Sequence, residues 1–455
     1  MQTSDPPPSS EQPRQACRGE PPRIAMVPVD AAAQARRVVT AKLDWRRTFV
    51  AFRHRNYRLF FAGQLVSLIG TWMQTVALGW LVYDLSHSPF LLGLITFLSG
   101  LPMTLLTMPA GVIADRAPKR VILIATQTAA MLLALIIAAL TYWKVVTVWH
   151  VAIIGFLLGV TNAFDMPTRQ SFVVDMVGKD NLMNAIALNS SMFNGARVIG
   201  PALAGVLIAT IGEAGCFFLN GLSFLAVIVA YLVMRLPPTV PQSATRSLKR
   251  ETLEAVHYVW GNPVIRDTVL LMAVISLFAL PYGILMPVFA RDILKAGPTG
   301  LGYLVSANGI GALLGALTVA AIGDVPHYRR LFFGGLLGFT AMTFAFALSK
   351  TLWLSMALLL GSGWAMTISF ATANTVVQLR TPDELRGRVM GIYVLAFIGL
   401  GPFGSLLTGA IARATSTPFA VAFGAAICAV AALIVARLLP RKLSGLLPRE
   451  SASAA

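Results

Sequence analysis

The sequence predicts an all-α polytopic membrane protein in which twelve transmembrane helices form two six-helix bundles. Of its 455 residues, 56% are hydrophobic and 12% are charged, whereas soluble proteins carry about 25% charged residues. Apolar runs recur along the chain, and each is near the roughly 20 residues that cross a bilayer as a helix. Short motifs also repeat, in the same order, in the two halves of the chain.

Apolar and polar stretches divide the chain into five parts. They are a disordered cytoplasmic tail (1–44), a first bundle (45–235), a cytoplasmic linker (236–265), a second bundle (266–440) and a cytoplasmic tail (441–455). Within the linker, the amphipathic run from Leu248 to Trp260 predicts one surface helix. The twelve predicted spans are approximately 59–83, 90–113, 120–142, 147–176, 182–210, 214–235, 267–290, 299–322, 329–349, 352–379, 388–412 and 418–437.

The basic residues indicate how the chain is oriented in the membrane. We assign 30 of the 36 lysines and arginines to one side and five to the other, and Arg197 alone lies within a span. Cytoplasmic loops carry an excess of positive charge, so both termini are predicted to be cytoplasmic. The net charge of +17 therefore reflects topology and contact with anionic lipids, and we expect no nucleic-acid partner.

An internal repeat relates the two halves of the chain. Repeats of this kind place a binding site at their interface, near the middle of the membrane. The second copy of the loop that contains Asp324 is degenerate. The matched pairs are Leu92-Gly93 with Leu301-Gly302, Asp115 with Asp324, and Gly200-Pro201 with Gly401-Pro402.

The loop between the second and third spans carries one acid, Asp115, and three bases, Arg116, Lys119 and Arg120. Gly111 precedes them and is expected to let another helix approach closely. The pattern resembles the loop motif between helices 2 and 3 of the major facilitator superfamily. That resemblance implies that Asp115, Arg116 and Arg120 hold the two halves together on the cytoplasmic side in the outward-open state. The alternative is an ordinary basic cytoplasmic loop.

Charged residues near the cytoplasmic end of span 4 are candidates for coupling or gating. Asp165 and Arg169 lie four residues apart and share a helix face, so they can pair. A purely structural ion pair is an equally open interpretation, because charges within a membrane need a partner or a wet cavity. Asp175 lies further along, and its expected partner is Arg116 or Arg120.

Span 5 contains the deepest base, Arg197, which needs a counter-ion or an anionic substrate. Asp165 is a candidate counter-ion, and a fixed ion pair or a snorkelling side chain is the alternative. A glycine-proline motif in the same span resembles helix 5 of facilitator antiporters, although the paired glycine after Gly-Pro is replaced by Ala204-Gly205. Its glycines permit close packing and its proline bends the helix. The motif residues are Gly195, Gly200, Pro201 and Gly205.

Polar and aromatic side chains within the spans are candidates to line a central cavity. For each of them, hydrogen bonding between helices or packing against lipid is the alternative. The polar candidates are Gln64, Gln74, Asn162, Asn189, Asn308 and Asn374, and the aromatic candidates are Trp72, Trp80, Phe97 and Trp364.

Several segments narrow the resemblance to the secretion-effector branch of the superfamily, which includes bacterial enterobactin exporters and macrolide efflux pumps. The resemblance covers about residues 45–440 and implies an inner-membrane exporter of a small organic molecule, driven by protons. The early arginine of span 4 that many drug antiporters carry is missing, so their proton-relay residues cannot be carried over. The segments are Asn56–Phe60, Gly63-Gln64-x-x-Ser67, Asp165–Gln170, Asp180–Leu182 and Arg197–Pro201.

The sequence offers no metal-ligand cluster, phosphate-binding loop or nucleophile–base arrangement, so we expect no cofactor and no enzyme activity. The expected partners are a small-molecule substrate, protons and the lipid bilayer, and we expect a monomer. An importer of the same fold and a non-transporting receptor or scaffold are the alternatives that the sequence leaves open.

Overall fold

The structure, a computed structural model, describes residues 49–178, 180–235, 248–322 and 328–438, without the side chains at 112, 115 and 248–252. Within these ranges the regular elements are helices and there is no strand, so the expected all-α membrane fold is confirmed. The proposed tails (1–44 and 441–455), the linker residues 236–247 and Asp324 lie outside the described residues.

The described helices follow the predicted spans closely. They are α1 (Arg55–Ser86), α2 (Pro89–Arg116), α3 (Lys119–Tyr142), α4 (Val148–Val177), α5 (Leu182–Val233), α6 (Leu248–Gly261), α7 (Pro263–Ile293), α8 (Gly297–Ile322), α9 (Tyr328–Leu348), α10 (Leu352–Arg380), α11 (Asp383–Ala414) and α12 (Thr417–Leu438).

The helix α5 accounts for two membrane crossings. Its 52 residues would extend about 78 Å at 1.5 Å per residue, more than twice the roughly 30 Å of a bilayer core. The backbone leaves the helical region at Gly212, where φ is 74° and ψ is 177°. Eleven helices in the described ranges are long and apolar enough to span a membrane, and with α5 divided at Gly212 they give twelve crossings.

Two of the spanning helices are irregular near the middle of the molecule. The α-helical turns of α7 end at Phe278 and are followed by a 3₁₀ segment, Leu280–Leu285, that begins around Pro281. In α11 a π-helical turn, Leu395–Gly399, comes just before Pro402. Proline lacks an amide hydrogen and interrupts the hydrogen-bond ladder of a helix, which explains why the irregular turns occur beside these prolines.

The surface of the bundle carries the side chains expected of a protein in lipid. Large apolar residues such as Leu132, Phe218 and Leu232 are exposed, as they are where lipid replaces water as the solvent. Tyr142, Trp143, Trp149 and Trp353 are exposed beside the loops 143–147 and 349–351. Such aromatic belts mark the boundary between membrane and water.

The two bundles meet where α2 crosses α11 and where α5 crosses α8. At each crossing a glycine of one bundle packs against a glycine of the other. A Cβ placed at Gly93 would lie 3.2 Å from the Cα of Gly409, and a Cβ placed at Gly205 would lie 3.0 Å from the Cα of Gly302. Gly93 and Gly302 occupy corresponding positions in the two halves, as the internal repeat leads one to expect.

The crossings close one face of the molecule, which we call the closed face and which carries the loops 87–88, 143–147, 294–296, 349–351 and 415–416. There the end of α1 is tied to the end of α7, because Tyr83 donates a hydrogen bond to Asp292 and Arg291 pairs with Asp84. The guanidinium of Arg291 also lies 5.9 Å from the ring centre of Trp80.

Toward the opposite face, which we call the open face and which carries the loops 117–118 and 381–382, the bundles separate. The contact between α2 and α11 extends as far as Thr104, which donates a hydrogen bond to the Gly399 carbonyl at 3.2 Å. One helical turn further, Met108 is 77% exposed. Leu317 on α8 and Leu395 on α11 are exposed as well.

The surface helix expected at 248–260 is present as α6 and packs on the second bundle. Ala255 and Val259 are buried. The Tyr258 hydroxyl donates to the Arg380 carbonyl at 2.9 Å, and Glu254 pairs with Arg388 at 3.4 Å. This part of the linker therefore belongs structurally to the second bundle.

Candidate transport cavity

A cavity of about 550 Å³ lies between the two bundles. The first bundle contributes α1 to α5 to its lining, and the second bundle contributes α7, α8 and one residue of α10, Met366. The irregular turn of α7 forms part of the wall through Leu280, Tyr282 and Ile284. The cavity is about the size of a pocket for a drug-sized molecule.

Four of the six polar cavity candidates line this space, and two do not. Asn189 instead accepts a hydrogen bond from the Tyr57 hydroxyl at 3.0 Å, and Asn374 accepts one from Gln378 at 2.9 Å. Among the aromatic candidates Trp72 lines the cavity, whereas Trp80, Phe97 and Trp364 are not among its lining residues. The four polar residues in the lining are Gln64, Gln74, Asn162 and Asn308.

Asp165 is a buried carboxylate in the cavity wall and is only 4% exposed. One of its oxygens accepts hydrogen bonds from the Thr126 hydroxyl at 3.0 Å and from Gln127 Nε2 at 2.8 Å. The other lies 3.6 Å from Nε of Arg169, so the expected pair between these residues is present.

Sequence reasoning missed Thr126 and Gln127, which hold Asp165 from the neighbouring helix α3. The signal available was the polar run Thr126-Gln127-Thr128 within an otherwise apolar span, Ile122 to Leu140. The carbonyl oxygen of Gln127 and that of Gln64 are buried without a hydrogen-bond partner. Both glutamines line the cavity, so its wall contains two buried acceptors without a protein partner.

Arg197 lies in the cavity wall and has neutral partners. One guanidinium nitrogen donates to Asn308 Oδ1 at 3.1 Å, and the centre of the guanidinium lies 5.8 Å from that of the Trp72 ring. Among the described residues Arg197 forms no ion pair, so the pairing with Asp165 that the sequence suggested is absent from this conformation. Asp165 is instead satisfied by α3 and by its own helix.

Asn308 links Arg197 to the second bundle. Its side-chain amide nitrogen donates to the Tyr282 hydroxyl at 2.8 Å and to the Leu359 carbonyl at 3.3 Å. The series from Arg197 on α5 through Asn308 on α8 to Tyr282 on α7 crosses the interface between bundles. A group that binds Arg197 therefore acts at the point where the bundles meet.

The predicted partner of Asp175 was wrong. Its carboxylate pairs with Lys119 at 2.8 Å, and neither Arg116 nor Arg120 contributes to that pair. Arg120 donates instead to the Leu232 carbonyl at 2.7 Å, near the end of α5, and Arg116 is exposed. Lys119 and Arg120 are adjacent, so they project about 100° apart around α3 and reach different neighbouring helices.

Gly111 does not provide the close helix approach expected of it in this conformation. A Cβ placed there would meet no atom within 4 Å, because α2 and α11 have already separated at that level. The side chain of Asp115 is not described, and Asp324 lies outside the described residues.

Two of the three glycines in the α5 motif are sites of close packing. A Cβ at Gly200 would lie 2.5 Å from the Trp72 Cβ, and a Cβ at Gly205 would meet α8 as described above. A Cβ at Gly195 would meet nothing within 4 Å. Pro201 belongs to the same contact, because its carbonyl oxygen lies against Gly302.

Two pseudo-symmetric helical bundles, with a cavity between them that is closed toward one face, define a membrane transporter of small solutes. The chain belongs to the transmembrane secretion effector family, which it matches over residues 46–451, and hence to the major facilitator superfamily.

The similar curated proteins are bacterial transporters. The staphyloferrin A transporter of Staphylococcus aureus is 26% identical over 77% of this chain and 88% of its own length. The multidrug efflux pump Tap of Mycolicibacterium fortuitum is 26% identical over 76% of this chain and 86% of its own length. The enterobactin exporter EntS of Shigella boydii is 26% identical over 84% of this chain and 92% of its own length.

Solved structures support the fold alone, because their sequence identity is low. A bacterial homologue of the iron transporter ferroportin in its inward-facing state gives a TM-score of 0.65 at 15% identity, over 84% of this chain and 97% of that one. An inward-facing bacterial homologue of the human lysosomal transporter Spinster gives 0.62 at 16% identity, over 84% of this chain and 94% of that one.

Proposed function

We propose that this protein exports a small organic molecule across the bacterial inner membrane in exchange for protons. The observation that carries the proposal is a cavity between the two bundles that contains a buried, ion-paired carboxylate. The family relationship adds support, because the similar proteins named above include an enterobactin exporter and a multidrug efflux pump.

The distribution of basic residues supports an orientation with both termini in the cytoplasm. Five bases belong to the closed face: Lys144, Arg291, Lys295, Lys350 and Arg413. Lys119 and Arg120 belong to the open face, which also carries most of the other bases among the described residues. By the positive-inside rule the open face is cytoplasmic, and the conformation described here is inward-open.

Transport then proceeds by alternating access around the cavity. Substrate enters from the cytoplasmic side, the glycine crossings at the closed face separate, and the cytoplasmic side shuts. We assign the shutting to the loop motif containing Asp115, Arg116 and Arg120, with Asp324 at the corresponding place in the second half.

The coupling step is assigned to Asp165 and Arg169. In the inward-open state the carboxylate of Asp165 is satisfied by Arg169, Thr126 and Gln127. A proton that binds Asp165 from the outside neutralises the carboxylate and weakens its pairing with Arg169. Release of that proton to the cytoplasm restores the arrangement seen here, so each cycle moves protons inward and substrate outward.

Substrate uptake by everted membrane vesicles, which corresponds to export from the cell, tests this proposal. Respiration acidifies the vesicle interior, and a proton-coupled exporter uses that gradient to accumulate substrate while partly collapsing it. We would screen fluorescent dyes, macrolides and catechol siderophores with the wild type and with Asp165→Asn. The expected result is accumulation and gradient collapse in the wild type, with both lost in the variant.

The matched control is Asp383→Asn, because Asp383 is an exposed carboxylate whose ion-pair partner among the described residues is Arg386 of its own helix. That variant should transport like the wild type. Accumulation that persists in Asp165→Asn, or that persists after the proton gradient is dissipated, would contradict proton exchange. Substrate movement out of energised vesicles would instead indicate an importer.

A further inference from the structure

Among the charged residues of the cavity lining, Arg197 is the one that forms no ion pair with another described residue. The lining contains three residues that are charged at neutral pH: Asp165, Arg169 and Arg197. Asp165 and Arg169 compensate each other. The cavity therefore has a formal net charge of +1, which belongs to Arg197.

A guanidinium in this setting is stabilised when an anion binds it. Its partners, the Asn308 amide oxygen and the Trp72 ring, supply dipoles and no charge. Arg197 is half-buried in the cavity wall, so its charge has lost part of its hydration, and an opposite charge compensates that loss. Arginine presents a fixed fork of N–H donors that matches a carboxylate. The bond to Asn308 uses one nitrogen, NH2, so other donors of the fork remain available.

The rest of the wall suits an organic molecule with a single acidic group. The centre of the guanidinium lies 5.8 Å from the centre of the Trp72 ring, so an aromatic side chain borders the charge on one side. Leu280, Ile284 and Met366 provide apolar surface from the second bundle. This combination of one charged anchor and an apolar enclosure is typical of sites that hold an aromatic or aliphatic body by its polar end.

We propose that Arg197 binds an acidic group of the substrate, so that the exported molecules are organic anions, above all carboxylates. This inference rests on the proposed export function and adds the substrate class. It also gives the substrate a role in the cycle: Arg197 and Asn308 belong to different bundles, so an anion bound by Arg197 acts on a contact that joins them.

The test uses two probes that differ in charge and hardly in size. Dansylglycine carries a carboxylate, and dansylglycinamide carries a neutral amide in its place. Binding to the full-length protein in lipid nanodiscs is followed by dansyl fluorescence. Wild type should bind dansylglycine at least about tenfold more tightly than the amide, the range expected for a charge-assisted hydrogen bond.

Two substitutions at Arg197 separate charge from structure. Arg197→Gln keeps a donor for Asn308 and removes the charge, so it should abolish the preference for dansylglycine and leave the amide affinity unchanged. Arg197→Lys keeps the charge without the fork and should retain part of the preference. The matched control is Arg413→Gln, because Arg413 also lies over an aromatic ring, Phe90 at 5.7 Å, but outside the cavity lining.

Equal binding of the two probes by the wild type, or binding of neither, would overturn the proposal. A preference for dansylglycine that survives Arg197→Gln would also overturn it. If Arg197→Gln weakens the binding of both probes equally, the role of Arg197 is only structural. Binding needs no proton gradient, so the anion preference and proton-coupled export can fail separately. Loss of coupling with the preference intact would refute the transport mechanism alone.

Discussion

The glycine crossing between α5 and α8 makes the closed conformation sensitive to a single methyl group. A Cβ placed at Gly302 would lie 2.6 Å from the Pro201 carbonyl oxygen and 2.9 Å from the Gly205 Cα. Ordinary contact begins at 3.4 Å, so the backbones must separate by about 0.8 Å. Both obstructing atoms belong to the backbone, and a side-chain rotation cannot relieve the overlap.

The substitution Gly302→Ala should therefore destabilise the conformation with the closed face shut. Overpacking a tight contact costs about 1–3 kcal/mol, and each 1.4 kcal/mol changes an equilibrium tenfold. We expect a shift of about 5- to 150-fold toward conformations in which this face is open. Alanine also raises helix propensity by up to about 1 kcal/mol, and a control must account for that.

The assay is a pulsed electron paramagnetic resonance measurement between spin labels at Val145 and Lys350. These exposed positions lie on the closed face, one in each bundle. Gly302→Ala should transfer population to longer distances. Gly334→Ala is the control, because a Cβ at Gly334 meets nothing within 4 Å and the gain in propensity is the same. Identical distance distributions in the wild type and Gly302→Ala would refute the reasoning.

Three further predictions concern polar contacts. Asp84→Asn should open the closed face less than about fivefold in the same distance measurement, because its pair with Arg291 is substantially exposed and worth about 1 kcal/mol or less; a larger shift would contradict this. Asp175→Asn removes the ion-pair partner of Lys119 within the first bundle. It should lower the thermal unfolding midpoint by a few degrees and leave transport active. Loss of transport in this variant would contradict the prediction. Tyr258→Phe removes a bond worth about 1 kcal/mol from α6 to α10, so amide exchange in α6 should quicken severalfold, and unchanged exchange would argue against that anchor.

The sequence predicted the fold well because hydropathy and backbone rules act locally. Apolar runs of sufficient length located twelve crossings, and the interruption expected between 210 and 214 coincides with the non-helical Gly212. The repeat that matches Leu92-Gly93 to Leu301-Gly302 predicted related halves. It did not predict which glycines Gly93 and Gly302 would meet, because that depends on how the helices of the two bundles cross.

The individual charge pairs were less predictable for a physical reason. The pair of Asp165 with Arg169 follows from i, i+4 spacing on one helix. The partners of Asp175 and Arg197 lie on other helices, and the rotation of a helix about its axis decides which of several nearby bases reaches a carboxylate. Hydropathy patterns in an all-apolar environment specify that rotation poorly, since lipid-facing and buried faces are both apolar.

The central claim is that the cavity between the bundles couples substrate export to protons through Asp165. The most direct measurement is proton movement in liposomes that contain the purified protein and a trapped pH-sensitive dye, started by a gradient of an identified substrate. The account predicts that substrate flowing one way drives protons the other way, and that Asp165→Asn abolishes this proton movement. Substrate flux without proton movement, or proton movement that Asp165→Asn leaves unchanged, would contradict it.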